Sequence, residues 1–289
     1  MPSPPSAQPI IVNTVHDLRE AVSDWRRENK SIALVPTMGA LHEGHLSLVK
    51  LGLAQCDKVI VSIFVNPTQF APHEDFDAYP RREEDDIDKL KQIGAQLVFV
   101  PDRQEMYGKG FSTSIDVSGI TEGLCGETRP HFFRGVATIV SKLLLQSLPD
   151  IAIFGEKDFQ QLHVIRRMAH DLNIPVEIIS GAIIREKDGL ALSSRNKYLL
   201  VHERTIASKL NKVMRDICER IAKGESIQPI LKQGYQSLTQ AGFDKVDYLE
   251  LRSSATLAPM TTLNAPAHLL AAVWVGKTRL IDNQQIQPR

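Results

Sequence analysis

A chain of 289 residues, 43% of them hydrophobic, is long enough to bury a substantial core in one large or two modest domains. Its 34 basic and 34 acidic residues cancel, which removes any global field favouring nucleic acid or an anionic membrane. Cys56, Cys125 and Cys218 are few and widely spaced, so they imply no disulfide framework or metal cluster and fit a reducing compartment.

The opening Met1-Pro2-Ser3-Pro4-Pro5-Ser6-Ala7-Gln8-Pro9 is proline-rich and uncharged. It lacks the basic start and apolar core of a signal peptide and reads as a loose arm. No run of about eighteen apolar residues follows, so no transmembrane helix is expected and the expected location is cytoplasmic.

Residues 32–35 form an apolar run that reads as a buried strand. Pro36-Thr37-Met38-Gly39-Ala40-Leu41-His42-Glu43-Gly44-His45 comes next, and Leu46-Ser47-Leu48-Val49 then begins a helical pattern. The order is strand, glycine-containing turn, helix, with two histidines where the helix starts. A helix N-terminus offers backbone N–H groups and partial positive charge, which suit a phosphate. Imidazoles there can donate to charge developing on phosphorus. A His-x-Gly-His signature in this context points to nucleotide transfer from ATP. The spacing also suits a metal, but no third His or Cys lies nearby, which argues against zinc.

Further apolar runs at 59–65, 97–100, 151–154 and 176–179 alternate with helical patterns at 83–93, 136–148 and 159–172. The runs are continuous rather than alternating, as parallel strands covered on both faces require. The expectation is an α/β fold with a Rossmann-like doubly wound parallel sheet, whose ligands bind beyond the carboxyl ends of the strands.

Ser62-Ile63-Phe64-Val65-Asn66-Pro67-Thr68-Gln69-Phe70 ends one strand in an Asn-Pro turn. It brings the amides of Asn66 and Gln69 near the sheet edge, where they suit a hydroxy-acid or polar substrate. An acidic run, Glu83-Glu84-Asp85-Asp86, opens the helix at 83–93. Acidic first turns usually complement the dipole, but Asp85 or Asp86 could hold Mg2+ together with substrate phosphates. Gly155-Glu156-Lys157-Asp158 again lies between a strand and a helix. Its glycine permits close approach of a ligand, and Lys157 offers a point charge. Leu192-Ser193-Ser194-Arg195 supplies two hydroxyls and a forked cation, a compact phosphate grip.

From about residue 188 the texture changes. Amphipathic stretches at 201–223 and 227–241 precede short strands at 246–252, 268–275 and 278–281. These imply a smaller C-terminal α+β domain at 188–289, after an N-terminal domain at 1–187.

Together these motifs resemble the pantoate–β-alanine ligase family. The matching pieces are 36–45, 62–70, Tyr79-Pro80-Arg81 with Asp85-Asp86, Arg129-Pro130, 155–161, 188–195 and Arg279-Leu280-Ile281-Asp282-Asn283. More distantly, His-x-Gly-His and Ser-Ser-Arg are similar to the paired signatures of class I aminoacyl-tRNA synthetases and nucleotidylyl transferases.

The resemblance implies an ATP site lined by Met38, Gly39, Ala40, Leu41, His42, Glu43, Gly44 and His45. Gly155, Glu156, Lys157, Asp158, Ile184, Leu192, Ser193, Ser194 and Arg195 would complete it. His45 would be the principal catalytic histidine, with His42, Lys157, Ser194 and Arg195 beside it. Gln69 would hold pantoate and then β-alanine, with Gln161 on the pantoate side. Asp85 would be the Mg2+ ligand. The domain at 1–187 would bind ATP and pantoate, the domain at 188–289 would cover the active site, and the chain would form a homodimer. Segments 70–82 and 108–126 are candidates for a cover that keeps water from an acyl adenylate. The family's Arg-Pro-Gly-His-Phe is Arg129-Pro130-His131-Phe132-Phe133 here, and Cys125 stands where several relatives carry Glu.

The nearest rival is a nucleotidylyl transferase that leaves the adenylate on its substrate. An ATP-binding regulatory or RNA-binding protein is a second, opposed by the balanced charge and by the intact His42, His45, Lys157 and Arg195.

Overall fold

The computed structural model describes residues 8–71 and 74–288. Residues 1–7 of the expected arm, and Pro72 and His73 of the expected cover, lie outside them. The chain forms two compact units. The first holds the described residues up to Thr121 together with Arg129–Glu156 and Gln161–Ala182. The second holds Glu122–Thr128, Lys157–Gln160 and everything from Ile183 onward. A contiguous cut at 187/188 therefore misses two short segments that pack with the C-terminal part, and it falls five residues after the last residue of the first unit, Ala182.

In the first unit, six strands form one sheet: β1 (Ile10–Val12), β2 (Ile32–Thr37), β3 (Lys58–Ile63), β4 (Leu97–Phe99), β5 (Ile151–Gly155) and β6 (Glu177–Gly181). Their order is β1-β4-β3-β2-β5-β6, and every pairing is parallel. Ile32, Ala33, Leu34, Val35, Val59, Ile60 and Val61 are fully buried, which accounts for the unbroken apolar runs. The expected doubly wound sheet is present, with β1 as an additional edge strand.

Up to this point in the chain the helices are α1 (Val15–Arg27), α2 (Glu43–Gln55), α3 (Glu83–Ile93), α4 (Arg103–Met106), α5 (Leu124–Thr128), which belongs to the second unit, α6 (Phe132–Ser147) and α7 (Phe159–Asp171). Strand β2 pairs with β3 on one side and β5 on the other, so the winding reverses beside β2. The carboxyl ends of β2 and β5 flank that switch point, the usual ligand crevice of such sheets.

The second unit pairs α8 (Val201–Ala207), α9 (Lys209–Ala222) and α10 (Ile227–Ala241) with an antiparallel sheet. Its strands are β7 (Lys245–Ser253), β8 (Ala267–Val275) and β9 (Thr278–Ile286), in that order. Leu210, Met214, Ile217 and Ile221 recur at helical spacing along α9 and enter one core with Leu249, Leu251, Leu269 and Val273. The stretch expected as one helix at 201–223 is two. They meet at Ser208, whose hydroxyl donates back to the Thr205 carbonyl (2.9 Å). Such back-bonding competes with the helix ladder. Among the described residues no helix is long and apolar enough to cross a membrane.

Candidate active site

The turn after β2 is held from both ends. The Thr37 hydroxyl donates to the Ser62 carbonyl (2.8 Å), and the Gly39 N–H donates to the Thr37 hydroxyl oxygen (3.2 Å). Gly39 has φ +77° and Ala40 φ +52°, two successive left-handed residues. Only the first is glycine, so Ala40 carries backbone strain. The strain is held in place from α3. The Leu41 N–H donates to Asp86 Oδ1 (2.8 Å), and the Lys89 ammonium donates to the Leu41 carbonyl (3.0 Å).

His42 is the N-cap of α2, and its Nδ1 accepts the Gly44 N–H (3.1 Å). His45 reaches back, its Nδ1 accepting the His42 N–H (3.4 Å). The rings lie 4.1 Å apart at 35°. Because each Nδ1 accepts, each neutral ring carries its proton on Nε2. The helix start therefore combines a helix dipole with two imidazole N–H groups.

Beside it, the end of β3 turns through a 3-10 helix, Pro67–Gln69. Gly135 of α6 lets that helix lie against the turn: a Cβ there would run into the Thr68 carbonyl. Gln69 is buried, with Nε2 2.9 Å from Met38 Sδ. Its backbone carbonyl accepts from Arg129 (3.1 Å), which also forms a two-armed ion pair with Glu74 (2.6 Å for both) and lies 4.0 Å over the Phe132 ring. Phe132 is thus the floor for a guanidinium, while His131 is exposed at the start of α6.

Asn66, expected as a substrate contact, has another place. It is 1% exposed, and both ends of its amide are engaged: Nδ2 donates to Gln69 Oε1 and the Gly135 carbonyl, while Oδ1 accepts from Tyr107 and Thr68. It stands behind Gln69.

Asp85 and Asp86 differ sharply. Asp85 is exposed, 3.7 Å from Arg82. Asp86 is fully buried, and its Oδ2 has no hydrogen-bond partner. One exposed and one buried carboxylate, each near a cation, make no closed cage of their own. The pair fits Mg2+ held mainly by substrate phosphates with one carboxylate.

In the second unit, Lys157 is the middle residue of the 3-10 turn Glu156–Asp158, and its carbonyl accepts from Asn283 of β9 (3.1 Å). Among the described residues none pairs with its ammonium. Residues 184–192 fold back on themselves: the Leu192 N–H donates to the Ile184 carbonyl (2.9 Å), and Arg185 bridges Ala191. Arg185 is clamped by Asp282 (2.7 and 2.8 Å), and Arg204 ties Glu186 and Asp188. The Arg204 hydrogen bond holds the Asp188 carboxyl below its usual range. Ser193 caps the next turn, accepting the Arg195 N–H (3.3 Å), and Ser194 is buried in it. β9 thus anchors both expected nucleotide segments of this unit through Asp282 and Asn283. Cys125 also lies here, buried, 3.1 Å from the Tyr248 hydroxyl and 3.6 Å from Arg279.

Ile184 and Leu192 are brought together, as are Met38 and Gln69. Gln161 lies in the first turn of α7, partly exposed. Sequence reading missed Asp86 and Lys89 as holders of the Leu41 turn, Tyr107 and Gly135 behind Gln69, and Gln160, which grips Gly123 and Cys125 (3.2 and 3.0 Å). An acidic run hid Asp86, and no spacing rule links the others to their partners.

A doubly wound parallel sheet with a histidine-capped helix at its switch point defines an α/β nucleotide-site protein. The family model for pantoate–β-alanine ligase matches residues 10–285. The chain belongs to the pantoate–β-alanine ligase family. It is 53% identical to the pantothenate synthetase of Paramagnetospirillum magneticum over 278 residues, which cover 96% of this chain and 98% of that one. The Caulobacter vibrioides pantothenate synthetase is 52% identical over 281 residues, 96% and 99% of the two chains. The crystal structure of pantothenate synthetase from Thermus thermophilus superposes with a TM-score of 0.92 at 41% identity, covering 96% of this chain and all of that one. A pantoate–β-alanine ligase from Francisella tularensis, solved with beta-gamma ATP and β-alanine, gives 0.82 at 33% identity, over 96% and 97% of the chains.

Proposed function

We propose that this chain is an ATP-dependent ligase that condenses (R)-pantoate with β-alanine, releasing AMP and pyrophosphate. Family membership supports it. The observation that carries it is the His42–His45 pair at the start of α2, where each Nδ1 accepts a backbone N–H and leaves the ring proton on Nε2.

The pantoate carboxylate attacks the α-phosphorus of ATP. An acyl–phosphate bond forms, and pyrophosphate leaves. His45, His42, Lys157, Ser194 and Arg195 would stabilise the charge that develops on the phosphate oxygens. Met38–Leu41, Glu43, Gly44, Gly155, Glu156, Asp158, Leu192 and Ser193 would line the ATP site, with Ile184 beside the adenine or ribose. Gln69 donates to pantoate and later to β-alanine, with Gln161 on the pantoate side. Asn66 acts through Gln69 rather than on substrate. The β-alanine amine then attacks the acyl carbon, loses a proton and expels AMP. Asp85 would hold Mg2+, which when bound with ATP offsets phosphate charge.

The pantoyl adenylate is a mixed anhydride, so water must be kept out. Residues 70–82 and 108–126 form the cover we assign. We further assign a homodimeric state and a cytoplasmic location.

The test is a product assay with ATP, Mg2+, pantoate and β-alanine. Pantothenate and AMP in equal amounts are expected. An adenylylated product without AMP would instead mean a nucleotidylyl transferase.

A further inference from the structure

Gln69 has a carbonyl face and an NH2 face, and only one can meet a substrate. Its direction is fixed by an atom that leaves no choice. The Gly135 backbone carbonyl only accepts, so the end of the Asn66 amide facing it at 3.1 Å is the NH2 group. The other end, Asn66 Oδ1, accepts from the Tyr107 hydroxyl at 2.7 Å and from the Thr68 hydroxyl at 2.9 Å. The same Asn66 NH2 donates to Gln69 Oε1 at 3.1 Å. Gln69 therefore turns its own NH2 away from Asn66, toward Met38 Sδ at 2.9 Å, a weak acceptor.

Tyr107 is the far end of this relay. Its ring packs against Phe64 (6.1 Å) and Phe111 (5.0 Å). Burial raises its phenol above the ordinary value, so the hydroxyl stays a donor at neutral pH.

We propose that Tyr107 is a positioning residue that acts through Asn66 to keep the N–H face of Gln69 toward a carboxylate or hydroxyl oxygen of the organic acid. The role rests on the assignment of Gln69 to that substrate. It explains why an amide is buried behind another amide: the first fixes the sense of the second.

The test uses the full chain, with pyrophosphate exchange measured against pantoate and ATP. Tyr107→Phe keeps the ring and removes the donor. It should raise the pantoate KM about fivefold, the scale of one net hydrogen bond, with ATP KM unchanged. Asn66→Asp sets an acceptor against two acceptors and should raise it further. In a Gln69→Ala background, Tyr107→Phe should add nothing. An equal rise with and without Gln69, or an equal rise in ATP KM, overturns the relay. If Tyr107→Phe does not fold, Thr68→Val removes the other hydroxyl donor and carries the same expectation. Normal pantoate KM in Gln69→Ala overturns the substrate assignment itself. Impaired Gln69→Ala beside normal Tyr107→Phe overturns only the role of Tyr107.

Discussion

His45 and His42 meet through bonds between residues two or three apart, so their geometry is local to the motif. His45→Ala should keep the fold and lower turnover roughly 10²–10³-fold, the scale for one transition-state donor. Turnover near wild type in a folded variant would remove His45 from the chemistry. Ser194→Ala should cost less, since Arg195 and backbone donors remain. Gln69→Ala should weaken pantoate and β-alanine more than ATP, checked by separate titrations. A defect confined to ATP would contradict it. The histidines were legible in the sequence because a cap and its helix are contiguous. The clamp on the turn before them was not, because Asp86 meets Leu41 across 45 residues. Asn66 was legible as a polar turn residue, but its burial was hidden, since that depends on Tyr107 and on α6.

At the scale of elements, α6 and the turn at Pro67–Gln69 are the decisive contact. Gly135→Ala places a methyl group against the Thr68 carbonyl. The overpacking should cost about 1–3 kcal/mol of stability and displace Gln69, so pantoate affinity should fall with it. A fully stable variant would show that α6 yields without strain. On α7, burial, and then the Arg166 charge, push His163 down to about 4. The unfolded chain takes up a proton near pH 6.5 while the folded one resists, so stability should fall as pH drops from about 6.5 through 4. Urea unfolding near pH 7 and near pH 5 should show a smaller loss for His163→Leu than for wild type. Equal losses would mean that this imidazole is not the group responsible. Helix α3 and helix α10 were read from sequence with their observed bounds, because each is strongly periodic and closes on an αL glycine at its C-terminus, Gly94 and Gly242. β1 was missed because three residues beside a proline-rich arm carry no pattern.

Across the whole molecule, continuous apolar runs implied a parallel sheet, and the shift in texture near residue 188 implied a second folding unit. The interleaving of Glu122–Thr128 and Lys157–Gln160 with that unit was not visible. It depends on Gln160 gripping Gly123 and Cys125 and on Asn283 holding Lys157, contacts 35 to 126 residues long in sequence. Light scattering should give twice the chain mass if the chain is a homodimer, and a single chain mass would contradict that assignment.

Ligation through an acyl adenylate is tested most directly by isotope exchange. With ATP, Mg2+ and pantoate but no β-alanine, labelled pyrophosphate should enter ATP while free AMP stays low. Adding β-alanine should then release AMP and amide one for one. Exchange that requires β-alanine, or the appearance of ADP, would contradict the adenylate, and ADP would withdraw the role given to His45.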